Sequence, residues 1–193
     1  MELDRYMFEE VCRYLQTRNA AKKEKLMISI NISRRHFQNP AFLEEYAEIK
    51  ERYGIADGQI ELELTESVFF NEEQIALVKQ AVFRMHQLGF RCSLDDFGSG
   101  YANLNAVLKL PFQCIKMDRS MLNGIRQHKV AGEFYRNIVT ILRQQGYAIV
   151  AEGVEEQEEV ELLEAWGVDM IQGYYFSRPL PVEEFLKKIR EAG

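Results

Sequence analysis

The chain has 193 residues, 47 % hydrophobic and 28 % charged, with 24 basic against 30 acidic side chains and a formal net charge of −6. That length supports a single domain with one core, and the acidic balance excludes broad binding to a nucleic-acid backbone, which needs a basic face. No apolar run reaches the length of a membrane span and the acidic start MELDRYMFEE is no signal peptide, so a cytoplasmic chain is expected.

In chain order, Leu3, Met7, Val11 and Leu15 mark one helix face, and LMISI follows as a strand. Asn39 suits the cap of the next helix and Pro40 its first position. Leu43, Tyr46 and Ile49 keep its spacing, Gly54 stops it, and QIELEL makes the second strand. Asn71 caps a third helix with the stripe Ile75, Val78, Val82 and Met85, closed by Gly89 ahead of the strand RCSL. CIKM near residue 115 is a fourth strand. Phe134, Ile138 and Ile141 define a helix that Gly146 ends before the strand AIVA. Val160 and Leu163 define another that Gly167 ends before DMI. Glycine just beyond a helix is the usual left-handed cap, which gives these boundaries a physical reason. The run EEQEEVELLE at 155–164 reads as an exposed helix face with Glu155 set apart, and Trp166 as packing the last helix.

Six strands, near residues 27–31, 59–63, 91–95, 114–117, 148–151 and 169–172, thus alternate with helices. Alternation implies parallel pairing with crossover helices, hence an α/β protein: an open doubly wound sheet or a (β/α) barrel. Cys12, Cys92 and Cys114, odd in number and far apart, fit reduced thiols. His36, His86 and His128 are scattered and read as surface or second-layer residues.

Polar residues gather at strand ends. Asn31 and Ser33 follow the first strand, Glu63 and Glu66 the second, Asp95 and Asp96 the third. Lys116 and Asp118 mark the fourth, Glu152 and Glu155 the fifth, and Gln172 the sixth. Parallel strands bring all of these to one rim, where (β/α) barrels build their sites. The donors are oxygens, without the Cys/His set of a zinc site, and they suit Mg²⁺ or Mn²⁺, with Ca²⁺ as a non-productive competitor. Two adjacent carboxylates repel in a dry site but are tolerated beside cations, and a bridged ion pair suits phosphoryl displacement. Gly98 and Gly100 let the following loop turn sharply. Lys116 also admits a Schiff-base role, against which the acids around it count by raising its pKa.

These residues carry a resemblance to the EAL domain family, the cyclic-di-GMP-specific phosphodiesterases. The matching blocks are NIS at 31–33, ELTES at 63–67, DDFGSGYANL at 95–104, IKMDRSM at 115–121, AEGVEE at 151–156 and QGYYFSRPLP at 172–181, in the family's order. LDRYMFEEVCRYL resembles the family's second helix. The resemblance implies an EAL-type (β/α)₈ barrel with Asn31, Glu63 and Asp95 as ligands of a first metal. Asp95 would bridge to a second ion held also by Asp96 and Glu152. It further implies that Lys116 orients the attacking water and supports the phosphate, with Asp118 and Glu155 holding that lysine. Glu66 would anchor the loop containing Gly98 and Ser99. Gln172 would lie near the metals, and Pro179 and Pro181 near the guanine pocket. The implied reaction is hydrolysis of cyclic di-GMP to linear pGpG, with Glu152 as the candidate general base.

The Glu-Ala-Leu segment that names the family does not occur ahead of these blocks. The first two barrel strands are therefore expected to be missing, with one metal-binding glutamate and a substrate-contacting arginine. A full barrel takes around 250 residues, so about six strands with two open sheet edges are expected. A fragment of a longer active protein is the favoured reading, with a second copy of the chain or other domains of the longer protein as partners. The alternative is an inactive EAL-like domain serving as a cyclic-di-GMP receptor or protein-interaction module.

Overall fold

A computed structural model describes residues 2–21, 25–39, 41–65, 72–100, 104–127 and 129–192. Helix α1 (Glu2–Ala20) leads into β1 (Ile28–Asn31), a 3₁₀ turn (Arg34–Gln38) and α2 (Phe42–Arg52). Then come β2 (Ile60–Thr65), α3 (Glu72–Gln87), β3 (Arg91–Phe97), α4 (Leu104–Val107) and β4 (Cys114–Met117). The chain continues through α5 (Arg119–Gln127), α6 (Lys129–Gln144), β5 (Ala148–Ala151), α7 (Gln157–Ala165), β6 (Met170–Ile171) and α8 (Val182–Ala192).

All six strands pair in parallel in chain order, β1-β2-β3-β4-β5-β6. An open doubly wound sheet reverses its order at a switch point; strictly sequential pairing is barrel topology. The sheet curls far enough for Met27 and Ser29 at one edge and Met170 at the other to line a single groove of about 830 Å³. Among the described residues β1 pairs only with β2 and β6 only with β5, so the ring stays open between them.

Period-2 alternation sorts the strand side chains into two populations. Ile60, Leu62, Leu64, Cys92, Leu94, Ile115, Met117, Ile149 and Ala151 are fully buried and join the core beneath the helices. The opposite parity is largely polar: Glu61, Glu63, Ser93, Asp95 and Lys116 are buried inside the curl, beside Cys114 and Val150. In a fully covered parallel sheet both parities are normally apolar, so the inner face is built for something other than packing.

The helices dock as their spacing predicts, with two shifts. Leu43, Tyr46 and Ile49 of α2 and Val78, Val82 and Met85 of α3 are buried. In α1, however, Phe8, Cys12 and Leu15 face inward while Leu3 and Met7 are exposed. Phe8 stacks on Tyr46 at 4.2 Å between ring centroids, and that large ring pulls the helix round by one residue. In α6, Tyr135, Ile138, Val139 and Leu142 are buried while Phe134 and Ile141 are exposed. Tyr135 anchors this face against Trp166, which follows α7 and packs on α6 rather than on the last helix. Helix α2 starts at Phe42 rather than at Asn39: the Asn39 side chain accepts from the Ala41 N–H at 3.1 Å and closes a turn ahead of the helix. Pro40 and Asn71 lie outside the described residues. The stop glycines Gly54, Gly89, Gly146 and Gly167 all have positive φ. Cys12, Cys92 and Cys114 are free and buried, and no helix among the described residues is long and apolar enough to cross a membrane. His36 is buried against Asp4 at 2.8 Å, a structural pairing that fastens the 3₁₀ turn to α1.

One packing constraint fixes the segment after β6. A methyl group on Gly173 would stand 2.0 Å from the Val154 carbonyl oxygen and 2.3 Å from its nitrogen. The Val154 N–H donates to the Gln172 carbonyl at 3.1 Å, and the Tyr175 N–H donates to the Val154 carbonyl at 3.0 Å. Backbone cannot give way there as a side chain can. Gly173→Ala is therefore expected to destabilise the fold by about 1–3 kcal/mol, read as a lowered thermal midpoint.

Candidate metal centre at the strand tips

The tips of β2, β3, β4 and β5 converge on one ammonium group. Lys116 Nζ lies 2.7 Å from Glu152 Oε1, 2.9 Å from Glu63 Oε1 and 3.2 Å from Asp95 Oδ1. Parity explains the meeting: Glu63, Asp95 and Lys116 are inward residues of successive strands, and Glu152 stands one residue past β5. The Glu152 N–H donates to the Met117 carbonyl at 3.1 Å, extending the ladder to that residue.

Asp96 joins through an unusual backbone. It is the non-glycine residue with positive φ (59°) among the described residues. A register irregularity between Leu94 and Phe97 accompanies it in the β3–β4 pairing. This turn brings Asp96 to the same side as its neighbour. Asp95, Asp96 and Glu152 thus offer carboxylate oxygens within 4.8 Å of one another.

The electrostatics are unbalanced toward negative charge. Burial raises the Glu63 carboxyl against the opposing pull of Lys116, and raises Glu152 to about 6 in the same way. Asp96 is raised by burial and then by the charges of Asp95 and Asp118. For Lys116, burial acts downward, but the hydrogen bonds and charges of Glu152 and Glu63 prevail and hold the ammonium above the ordinary lysine range. One cation is shared by several anions, so the lysine gains from the pairing while the acids remain under-compensated. A lysine held protonated by its neighbours is a poor amine nucleophile, which counts against the Schiff-base reading.

The donor set fits divalent cations. Asp95 Oδ1 is buried and has no hydrogen-bond partner, although Lys116 stands 3.2 Å away outside hydrogen-bond geometry. A buried acceptor of this kind normally has a partner. The donors are all hard oxygens, suited to Mg²⁺ or Mn²⁺.

Other residues singled out from sequence fall as follows. Asn31 ends β1 in register with Glu63 and is exposed. Gln172 and Pro179 line the groove that also contains Glu63 and Lys116. Pro181 accepts from the Phe185 N–H at 3.0 Å and so serves the first turn of α8. Gly98 has φ of 95°, and the Ser99 N–H donates to the Asp96 carbonyl at 3.1 Å, closing the turn after the aspartates. Glu66 lies outside the described residues.

The ion pairs shown for Lys116 are with Glu63, Asp95 and Glu152, and the contacts shown for Asp118 and Glu155 lie elsewhere. The Asp118 carboxylate instead accepts from the Ser120 N–H at 2.9 Å at the start of α5, and Glu155 pairs with Arg119. Asp118 stands one residue past β4, where its N–H continues the ladder to the Phe97 carbonyl at 3.0 Å, and Glu155 stands in the loop after β5. Sequence reasoning also passed over a second polar layer below the centre. There Ser29 Oγ donates to Glu61 Oε1 at 3.2 Å, and Arg91 Nε lies 3.5 Å from Glu61 Oε2. The alternation in QIELEL was the available signal.

Barrel topology with an acidic cluster at the strand tips defines a (β/α)-barrel protein with a candidate metal centre, and comparison with known proteins narrows it. The chain belongs to the EAL domain family, whose model matches residues 1–179. It is 32 % identical over 193 residues to the cyclic di-GMP phosphodiesterase NbdA of Pseudomonas aeruginosa, covering 98 % of this chain and 24 % of that protein. It is 34 % identical over 168 residues to the cyclic di-GMP phosphodiesterase PdeL of Escherichia coli, covering 86 % of this chain and 46 % of the relative. The chain thus spans less than half the length of these relatives. Among solved structures, the EAL domain of Mycobacterium smegmatis DcpA superposes with a TM-score of 0.88 at 28 % identity, over 98 % of this chain and 85 % of that one. The EAL enzyme Bd1971, solved with cAMP and cyclic-di-GMP bound, gives 0.88 at 29 % identity over 98 % of this chain and 52 % of its own.

Two outcomes follow from this geometry. Asp96→Gly relieves the left-handed backbone and one repelling charge, so the cation-free protein should gain about 1 kcal/mol while losing most of its thermal stabilisation by Mn²⁺. Differential scanning fluorimetry with and without the ion reads both effects. Because Glu152 takes up a proton near pH 6, Mn²⁺ affinity should be flat above that pH and fall by about tenfold per unit below it as one proton competes for the carboxylate. Titration calorimetry at several pH values measures this.

Proposed function

We propose that this chain is the major part of a metal-dependent phosphodiesterase domain that hydrolyses one phosphodiester of cyclic di-GMP, giving linear pGpG. The observation that carries the reading is the set Asp95, Asp96 and Glu152, with oxygens within 4.8 Å, gathered around a buried lysine at the strand tips.

Asp95, Asp96, Glu152, Glu63 and Asn31 would hold two Mg²⁺ or Mn²⁺ ions. Such ions lower the pKa of water and neutralise charge on a phosphodiester at neutral pH. The chain's own groups then have distinct tasks. Lys116, kept protonated by its acidic neighbours, donates to a non-bridging phosphate oxygen and offsets the charge that grows there during displacement. Glu152, beside the position of the attacking water, would accept a proton from it. The water oxygen bonds to phosphorus as the bond to the 3′ oxygen breaks, the leaving oxygen takes a proton from solvent, and Glu152 returns its own proton to solvent. The groove containing Gln172 and Pro179 would receive the rest of the dinucleotide. Cations held at the rim would reverse the local charge, which is how an acidic protein could take an anionic substrate.

The names of the relatives and the bound ligand of Bd1971 support cyclic di-GMP as substrate. The expected result is Mn²⁺- or Mg²⁺-dependent formation of pGpG, resolved by chromatography, that Ca²⁺ inhibits. Glu152→Ala should reduce it by at least about a hundredfold, since ligand and base are lost together. Binding of cyclic di-GMP without any product in either ion would assign the chain to a receptor role instead.

A further inference from the structure

We propose that residues 118–121, which open α5, form a bracket that sets the spacing of the two ligand-bearing loops, with Arg119 and Met121 as positioning residues for the divalent cations. Strand β4 lies between β3 and β5, so the segment that follows it reaches both neighbours.

On the β3 side, the Asp118 N–H donates to the Phe97 carbonyl at 3.0 Å, and Ser120 Oγ donates to the Gly98 carbonyl at 3.5 Å. A methyl group on Gly98 would stand 2.2 Å from Met121 Sδ and 2.6 Å from its Cγ. Gly98 follows Asp96 by two positions, so Met121 bears directly on the loop that carries both aspartates. On the β5 side, a methyl group on Gly153 would lie 2.7 Å from Arg119 Cβ and 2.8 Å from its Cγ and Cδ. Gly153 follows Glu152 directly, and the Arg119 guanidinium then pairs with Glu155 two residues further on. The Asp118 carboxylate fixes the start of the bracket by accepting from the Ser120 N–H at 2.9 Å.

Both loops therefore present a glycine with positive φ, 95° at Gly98 and 70° at Gly153, to side chains of one short segment. Each glycine is a socket filled from the same helix start. The Arg119–Glu155 pair is half-exposed, and such pairs contribute little. The apolar stem of Arg119 over Gly153 is the working contact. Four carboxylates that repel one another need a mechanical limit on their separation, and this segment supplies it across the lysine. Metal sites are characteristically tuned by groups that orient their ligands from behind.

The inference rests on the reading of the strand tips as a metal centre. Calorimetric titration of the whole chain with Mn²⁺ tests it, with turnover of cyclic di-GMP measured in parallel. Arg119→Ala and Met121→Ala should each weaken Mn²⁺ binding by about tenfold or more, the usual effect of removing a ligand-orienting group, and lower kcat with KM unchanged. Arg119→Met, which keeps an unbranched stem without the charge, and Met121→Leu should retain affinity within about threefold of the parent, since stem packing is preserved. Should an alanine variant fail to fold, these two carry the test. If either loses Mn²⁺ affinity as severely as alanine is expected to, or if both alanine variants bind like the parent, the bracket is overturned. A parent chain that binds Mn²⁺ with this variant dependence but makes no pGpG overturns hydrolysis and leaves the bracket standing. A parent chain that does not bind Mn²⁺ overturns both.

Discussion

The structure depends on one ammonium shared among acids. Buried carboxylates repel and would take up protons or drive the strand tips apart. Lys116, in contact with Glu63, Asp95 and Glu152, is the charge that lets three strands end side by side. It does not neutralise the cluster. Burial first, and neighbouring carboxylates after it, raise Glu63, Asp96 and Glu152. A fold stabilised by outward apolar packing thus carries an inner face that is electrostatically incomplete. Buried charge networks of this kind add little stability, and removing one member is costly. Their presence is a functional signature rather than a structural economy.

The same alternation serves both purposes. In β2, Ile60, Leu62 and Leu64 join the core while Glu61 and Glu63 point into the curl. A shift of one residue in register would exchange these sets and destroy core and site together. Fold and chemistry are therefore read from one pattern of period two.

That pattern explains what was legible beforehand. The six strands were marked by apolar runs between stop glycines, and all four stop glycines adopt the left-handed conformation that made them readable. The gathering of polar residues at one rim followed from parallel direction alone. Strand and helix periodicity left barrel and open sheet as alternatives; the ordered motif blocks implied the barrel, and the sequential pairing bears it out. Helix faces were ambiguous where two stripes have equal spacing. In α1, Met7 and Val11 compete with Phe8 and Cys12, and the stacking of Phe8 on Tyr46 decides. The contacts of Lys116 with Glu63, Asp95 and Glu152 needed the register between strands, which no single motif block displays. The sockets at Gly98 and Gly153 were illegible, because a glycine in a loop does not announce which side chain covers it.

The gap between β1 and β6 has a consequence for handling this polypeptide by itself. Strand β1 is four residues long, and its outer row of amide and carbonyl groups has no partner strand among the described residues. Such a row is a template on which another extended segment crystallises its hydrogen bonds, whatever molecule supplies it. Strand β6 is only two residues long and offers far less. Concentrated preparations should therefore self-associate asymmetrically, through the longer seam, and a lysine or proline set along it is the remedy that natural sheets already use.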